Sequence, residues 1–282
     1  MLYRREILNA LRARAVGSIE ELALRSLALR GEWRDCSQLF ESQLPCGGWP
    51  NALGTSEPNA YSTSMALIAL AHLRDRRDAR AAVNLAFGWL DETAGREGHW
   101  LWRWKFRWFD RRVKFDTSKY GWPWIDGTVS WVAPTALAVI AHRVWKRPSP
   151  RVERGMSMLL DRACSSGGWN AGNSEAFGVS LTAHPDFTAM GLIALRSCGV
   201  HAHPAVRSAE DYLSSRLAAS EATYSLAWAL LALRNNPKMV STLRARLLKS
   251  VKLDAGAKPT ISLALAALAL EDPPLDLTET PQ

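Results

Sequence analysis

The sequence predicts an all-α protein built as an array of helical hairpins, and three patterns carry that reading. Five nearly charge-free, small-apolar segments recur at 61–73, 134–145, 186–198, 222–234 and 259–270. Arg-rich amphipathic segments lie between them, at 19–44, 77–92, 150–163, 204–218 and 238–250. Thr188, Ser225 and Ser262 mark a spacing of 37 residues in the last helices, a period that suits helix pairs.

The apolar segments open on Ser, Thr or Asp, three of them at or just after Pro, as helix starts do. Their Ala and Gly allow close approach, and apolar residues nearly all round imply burial on every side. In the Arg-rich segments Leu and Val recur at helical spacing with charges between, the pattern of a helix wet on one face. Alternation of the two kinds predicts two concentric layers, with inner helices lining an axis and outer ones facing water. Residues 1–271 read as one domain of about five to six hairpins, and 272–282, rich in Pro, Thr and Asp, as a flexible tail.

Composition narrows the function classes. With 48% hydrophobic and 22% charged residues the chain is globular in balance. The longest apolar run, Leu263 to Leu270, is far too short to span a bilayer, and the N-terminus has no signal-peptide core. A cytoplasmic protein is the expectation, with peripheral membrane contact as an addition. Cys36, Cys46, Cys164 and Cys198 form no CxxC pair and read as free thiols. A formal charge of +8 raises anionic partners. Tryptophan is over-used, 13 against 7 Phe and 5 Tyr, so indole faces serve some purpose here.

A second repeat punctuates the turns. QLPCGGWPN (43–51) and SSGGWNAGN (165–173) each follow an outer helix, with Trp49 and Trp169 120 residues apart. The glycines suit a left-handed helix end, on which the Trp folds back. EGHW (97–100) reads as a degraded third copy. Between 99 and 124, Trp100, Trp102, Trp104, Phe106 and Trp108 alternate with Leu101, Arg103, Lys105 and Arg107. This period of two predicts a short extended aromatic insertion: a lid over one end, a membrane-interface element with Trp at headgroup depth, or a base-stacking surface. No nucleic-acid fold accompanies it, so nucleic acid is the weakest of the three.

An outer helix, a Gln-x3-Gly-Gly-Trp turn at Gln43, Gly47 and Trp49, and a Thr-Ala-rich inner helix together resemble the repeat of terpenoid cyclases and protein prenyltransferase β subunits. GWPWIDGTVSWVAPTALAVIA (121–141) and the GGWNAGN–PDFTAMGLIAL pair resemble stand-alone bacterial proteins built from that repeat. The resemblance covers about residues 20–270. It implies an α/α toroid around an apolar cavity that takes an isoprenoid or another long apolar lipid. It also implies a class II type cyclase or isomerase, or else a non-catalytic toroid for lipid carriage or protein interaction.

Class II cyclases start with an aspartic acid in a DxDDTA segment at an inner-helix start. Matched onto HPDFTAM, His184 takes the first Asp, Asp186 the central proton donor and Phe187 the third position, followed by Thr188-Ala189. Both flanking carboxylates are absent. Asp186 is then a proton donor tuned by His184, or simply the cap of its helix; Pro134-Thr135 and Pro259-Thr260 open sister helices without an acid. By family position Trp122, Trp124, Trp131, Trp169 and Phe187 are the candidate lining residues, with Trp169 and Trp49 also readable as staples at helix ends. No cofactor is implied. Cys198, His201 and His203 form the sole local cluster of metal-binding types and lack the prenyltransferase zinc pattern, so no metal site is expected.

Overall fold

The computed structural model describes residues 2–30, 32–109, 115–216, 222–253 and 257–279. Among the described residues the regular structure consists of thirteen α-helices, two short 3-10 helices and two short hairpins. The chain opens with α1 (Leu2–Ala13), α2 (Ile19–Ala28) and α3 (Trp33–Glu41), then α4 (Ala60–Ala69), α5 (Arg77–Glu92) and α6 (Trp100–Phe109). Next come α7 (Val132–Val144), α8 (Pro150–Asp161), α9 (Pro185–Ser197) and α10 (Pro204–Arg216). The series ends with α11 (Thr223–Ala232), α12 (Pro237–Leu253) and α13 (Thr260–Ala269). Two-residue strands pair as β1 (Trp49–Pro50) with β2 (Pro58–Asn59), and β3 (Glu175–Ala176) with β4 (Val179–Ser180), both antiparallel.

The five small-apolar segments are α4, α7, α9, α11 and α13, and their residues are almost wholly buried. A sixth buried helix, α2, was hidden inside the segment 19–44. That segment breaks after Leu29, where Arg30 adopts a left-handed φ of 58°, and only α3 faces outward. Three charges made α2 look wet, yet Arg25 is buried against Asp35 and Glu20 turns inward.

The buried helices pack in a closed order. α2 lies on α4, α4 on α7, α7 on α9, α9 on α11, α11 on α13, and α13 returns to α2. Helices α3, α5, α8, α10 and α12 each pack on the buried helix that precedes them in the chain. The partner of α13 is α1, from the other end of the chain, so the two termini complete a sixth unit. Arg4 ties it, donating from Nε to the Ala267 carbonyl at 3.1 Å and pairing with Glu271.

One hydrogen-bond scheme recurs at the turns into α4, α7 and α9. Trp49 N–H donates to Thr63 Oγ1, Trp122 N–H to Thr135 Oγ1 and Trp169 N–H to Thr188 Oγ1, each at 2.9 Å. The indole Nε1–H of each Trp caps the end of an outer helix, at Leu39 O (2.7 Å), Leu90 O (2.7 Å) and Leu159 O (2.6 Å). Helix-end carbonyls lack the usual i+4 donor; Leu39 O and Leu159 O also accept from the C-cap N–H of Ser42 and Arg162 at 3.2 Å, whereas Leu90 O has the Trp122 indole. The approach is too close for a side chain: a Cβ on Gly121 would lie 2.2 Å from Thr135 Oγ1. In the first copy Gln43 Nε2 adds bonds to Gly47 O and Ala82 O, both at 2.8 Å.

The third copy of the turn is therefore Gly121-Trp122 and not EGHW: Trp100 is exposed, whereas Trp122 is fully buried. The Trp sits 10 residues past its capped carbonyl in two copies and 32 past it in this one, so about 22 residues are inserted ahead of Trp122. The insertion carries α6, a helix where the period of two predicted an extended segment. An isolated strand leaves its ladder groups without partners, whereas a helix satisfies its own, and Arg103 N–H duly bonds His99 O at 3.0 Å. Residues 110–114 and the side chains of 106–109 lie outside the described residues.

Residues 272–279, where a free tail was expected, lie against the fold. Leu277 is buried, Asp276 pairs with Arg234 and Asp272 with Arg244.

Candidate functional site

The first N–H of each early buried helix donates to the next unit, two residues past its Trp. Ile19 N–H bonds Asn51 O at 3.1 Å, Ala60 N–H bonds Trp124 O at 3.0 Å and Val132 N–H bonds Ala171 O at 2.9 Å. Helix starts and Trp turns thus share one end of the molecule. At α9 the scheme stops, because its first residue is Pro185, which has no N–H to give.

The second helical residue carries a polar group in four of the buried helices at this end. In α2, α4, α9 and α11 it is Glu20, Tyr61, Asp186 and Tyr224. Tyr61 donates its hydroxyl to Glu20 Oε1 at 2.6 Å, and Tyr224 donates to the same oxygen at 3.4 Å. Helices α2 and α11 are not neighbours in the packing order, so the Tyr224 bond reaches across the circuit. Glu20 Oε2 accepts no hydrogen bond among the described residues.

Two adjacent glutamates divide the work at the start of α2. Glu21 serves the helix end: Ser18 Oγ accepts from Glu21 N–H at 3.2 Å, and Glu21 Oε2 accepts from Gly17 N–H at 2.7 Å, a variant of the capping box. Glu20 is left free to turn inward.

Burial pushes the Glu20 carboxyl above the usual carboxylate range, against the lowering effect of the two tyrosine hydroxyls. Both phenols are raised in turn. Burial is the main cause for each; for Tyr61 the charges of Tyr224 and Glu20 add to it, and for Tyr224 those of Glu20 and Asp186. Indoles pack on both tyrosines. Trp124 stacks on Tyr61 with centroids 4.7 Å apart and planes at 27°, and Trp228 meets Tyr224 edge-on at 6.4 Å.

The residues singled out from sequence are spread over several places. Asp186 lies in the first turn of α9 and accepts no cap bond; the N-cap is His184, through its backbone carbonyl alone. The His184 ring is exposed and meets Phe187 edge-on at 6.0 Å, with no hydrogen bond to Asp186. Trp131 and His184 line a surface cleft of ≈430 Å³ with Asn170, Gly172 and Leu181. Phe187 is half-buried against the core.

Trp122 and Trp169 are fully buried staples, so the lining role expected for them is corrected. Their indoles stand between an inner and an outer helix. Of the expected lining residues, Trp124 is the one the structure brings to Glu20.

Away from this end, His203 Nδ1 accepts from Ala205 N–H at 3.2 Å at the start of α10. Among the described residues no group of three or more His, Cys, Asp or Glu could hold a metal.

Sequence reasoning passed over Glu20, Tyr61 and Tyr224. The available signal was positional: each stands two residues past its helix cap, as Asp186 does. It was masked in α2 because SIEEL looks like an ordinary acidic first turn.

No protein-family model matches the chain, and no curated protein matches it. Among solved structures it is similar to the crystal structure of a protein from Actinoplanes, at 19% identity and a TM-score of 0.52. The likeness covers 86% of this chain and 71% of that one, and at such identity it concerns the fold alone.

Proposed function

We propose that the closed order of buried helices is an α/α toroid that takes an isoprenoid or similar long apolar molecule. Glu20, in place of Asp186, is the acid at its working end. The observation that carries the reading is a partly desolvated carboxyl, bonded across the circuit to two tyrosines that each pack on an indole.

The chemistry follows from that placement. Burial lets Glu20 hold a proton to higher pH than a free carboxylic acid does. With Oε1 occupied by Tyr61 and Tyr224, the proton belongs on Oε2. Transfer to one carbon of a C=C bond leaves the cation on the other carbon and a carboxylate that both hydroxyls stabilise. Trp124, Tyr61 and Tyr224 offer π faces to the cation. Loss of a proton from a neighbouring carbon then restores the acid, and the net result is isomerisation or cyclisation. Asp186 would be a second carboxylate near Tyr224, with Phe187 and Trp131 further along the same end.

A non-catalytic toroid for lipid carriage is the second reading. It is favoured by the use of Trp122 and Trp169 as staples, which leaves fewer aromatics for a cation.

Incubation with farnesyl diphosphate, geranylgeranyl diphosphate and squalene, followed by extraction and mass spectrometry, separates the two. A proton-initiated isomerase gives new isomeric products in the wild type and Asp186→Asn, and none in Glu20→Gln. Unchanged lipid retained by all three proteins supports carriage. Neither product nor retained lipid removes the apolar-ligand reading.

A further inference from the structure

Apolar side chains are exposed unevenly over the surface. Of the large ones exposed among the described residues, Trp33 and Leu85 lie on α3 and α5. The other six, Trp100, Leu101, Trp104, Ile125, Phe177 and Val179, all lie in the connections that lead from an outer helix into a buried one. Those connections sit at the Glu20 end. Trp100 is 69% exposed, Trp104 58% and Phe177 77%, so more than half of each residue faces outward.

Two protrusions carry most of this surface, the helix α6 and the β3–β4 hairpin, and they share a base. Arg162 is buried between them, donating to Asn173 Oδ1 at 2.7 Å beside the hairpin and lying 3.6 Å from Glu97 ahead of α6. Its guanidinium also covers the Phe115 ring at 3.7 Å. The protrusions therefore project together from one anchored point.

Cations are set among the indoles. Arg96 and Lys105 lie over the Trp102 ring at 4.5 and 4.6 Å, and Arg103 and Lys105 are exposed. Within α6 there is no acidic residue, and Glu97 just before it is buried. On the flanks Asp116 is paired with Lys119, while Asp110, Asp126 and Glu175 complete the acids of the two connections in the sequence.

We infer that this edge docks on a bilayer surface containing anionic lipid. Trp100, Trp104 and Phe177 would enter the headgroup region, and Arg96, Arg103 and Lys105 would meet lipid phosphates. Tryptophan and arginine together suit that boundary, where an apolar body and a charged head are both satisfied. No helix among the described residues is long and apolar enough to cross a membrane, so the contact is peripheral. The edge holds the same end as Glu20, so docking would bring the toroid's working end to a source of apolar molecules. Only that last consequence rests on the proposed function.

Flotation of the full chain with vesicles tests the docking without any isoprenoid present. Vesicles of phosphatidylcholine mixed in equal parts with phosphatidylglycerol are expected to carry the protein, and pure phosphatidylcholine to carry much less. Arg103→Ser with Lys105→Ser should lower partition by about fivefold for each cation removed. Trp100→Ser with Trp104→Ser should lower it by roughly tenfold on the mixed vesicles. Both pairs are exposed, and unchanged circular dichroism would show the fold intact. Absence of binding to either vesicle, or equal binding by wild type and both variants, would overturn the proposal. So would self-association that depends on Trp100 and Trp104 without vesicle binding, which would assign the edge to a second copy of the chain.

Discussion

Trp122→Ala is expected to destabilise the protein by about 3–5 kcal/mol in urea or thermal unfolding, the range for a fully buried tryptophan. The ring has no exposed surface, its Nε1–H caps Leu90 O at the end of α5, and the Arg151 guanidinium lies 4.5 Å from its centre. Removal leaves a cavity, an uncapped carbonyl and a cation that has lost the nearer of its two aromatic rings, keeping Tyr120 at 5.2 Å. Nη2 of Arg151 bonds Thr93 O and Gly121 O, while Nε and Nη1 have no hydrogen-bond partner among the described residues. Burial already pushes its guanidinium below the usual arginine value.

Trp122→Phe separates the contributions. It keeps most of the volume and loses the N–H donor, so it should cost roughly 1–3 kcal/mol, the penalty for leaving a buried carbonyl unsatisfied. A Trp lining an open ligand cavity would behave differently. Its alanine variant would fold with nearly wild-type stability and lose ligand instead.

Asp35→Ala should be comparably severe, at about 3–5 kcal/mol. Arg25 and Asp35 form a bidentate pair between α2 and α3, at 3.0 Å (Nε to Oδ2) and 2.6 Å (Nη2 to Oδ1), with both side chains 3% exposed. Arg25 Nη1 also donates to Arg14 O at 2.6 Å, tying in the turn after α1. The alanine variant strands a guanidinium in the core and removes two of its three hydrogen bonds. Replacing both partners, Arg25→Met with Asp35→Leu, removes that stranded charge and should recover most of the loss. Recovery identifies the cost as that of an unpaired charge. If the double variant were as unstable as Asp35→Ala, the pair would be contributing specific attraction instead.

The helical layers were legible because burial leaves a compositional mark. Segments such as ATYSLAWALLALR and PTISLALAALAL contain nothing that tolerates water except at their ends, and the structure buries all but those ends. Helix α2 escaped because its charges are satisfied inside: composition records that Arg25 is charged, not that Asp35 waits ten residues on. The two GGW turns stood out through shared spacing. The Trp122 turn did not, because the inserted residues moved it away from α5, and Trp100 offered a false match.

The site was legible only in outline. The sequence pointed to an acid at the start of a buried helix, and the structure places such an acid at Asp186. The desolvated, doubly bonded carboxyl is Glu20, from the opposite side of the circuit. Its partners Tyr61 and Tyr224 lie 41 and 204 residues away, and no local pattern connects positions so distant. Alternation along 100–108 misled for a related reason: periodicity reports which faces differ, whereas a strand also requires a partner for its backbone.

The account turns on Glu20 as an acid that keeps its proton longer in the folded chain than in the unfolded one. Such a group contributes stability below its unfolded pKa and loses that contribution as pH rises through the higher folded value, because the folded state then binds the extra proton. Glu20→Gln retains an acceptor for Tyr61 and cannot ionise. Unfolding free energies of the two proteins measured across pH are therefore predicted to lie close together in acid. The glutamine variant should then gain on the wild type as pH rises above the usual carboxylate range. A difference that is independent of pH, or a wild type that gains on the variant with rising pH, would contradict the account.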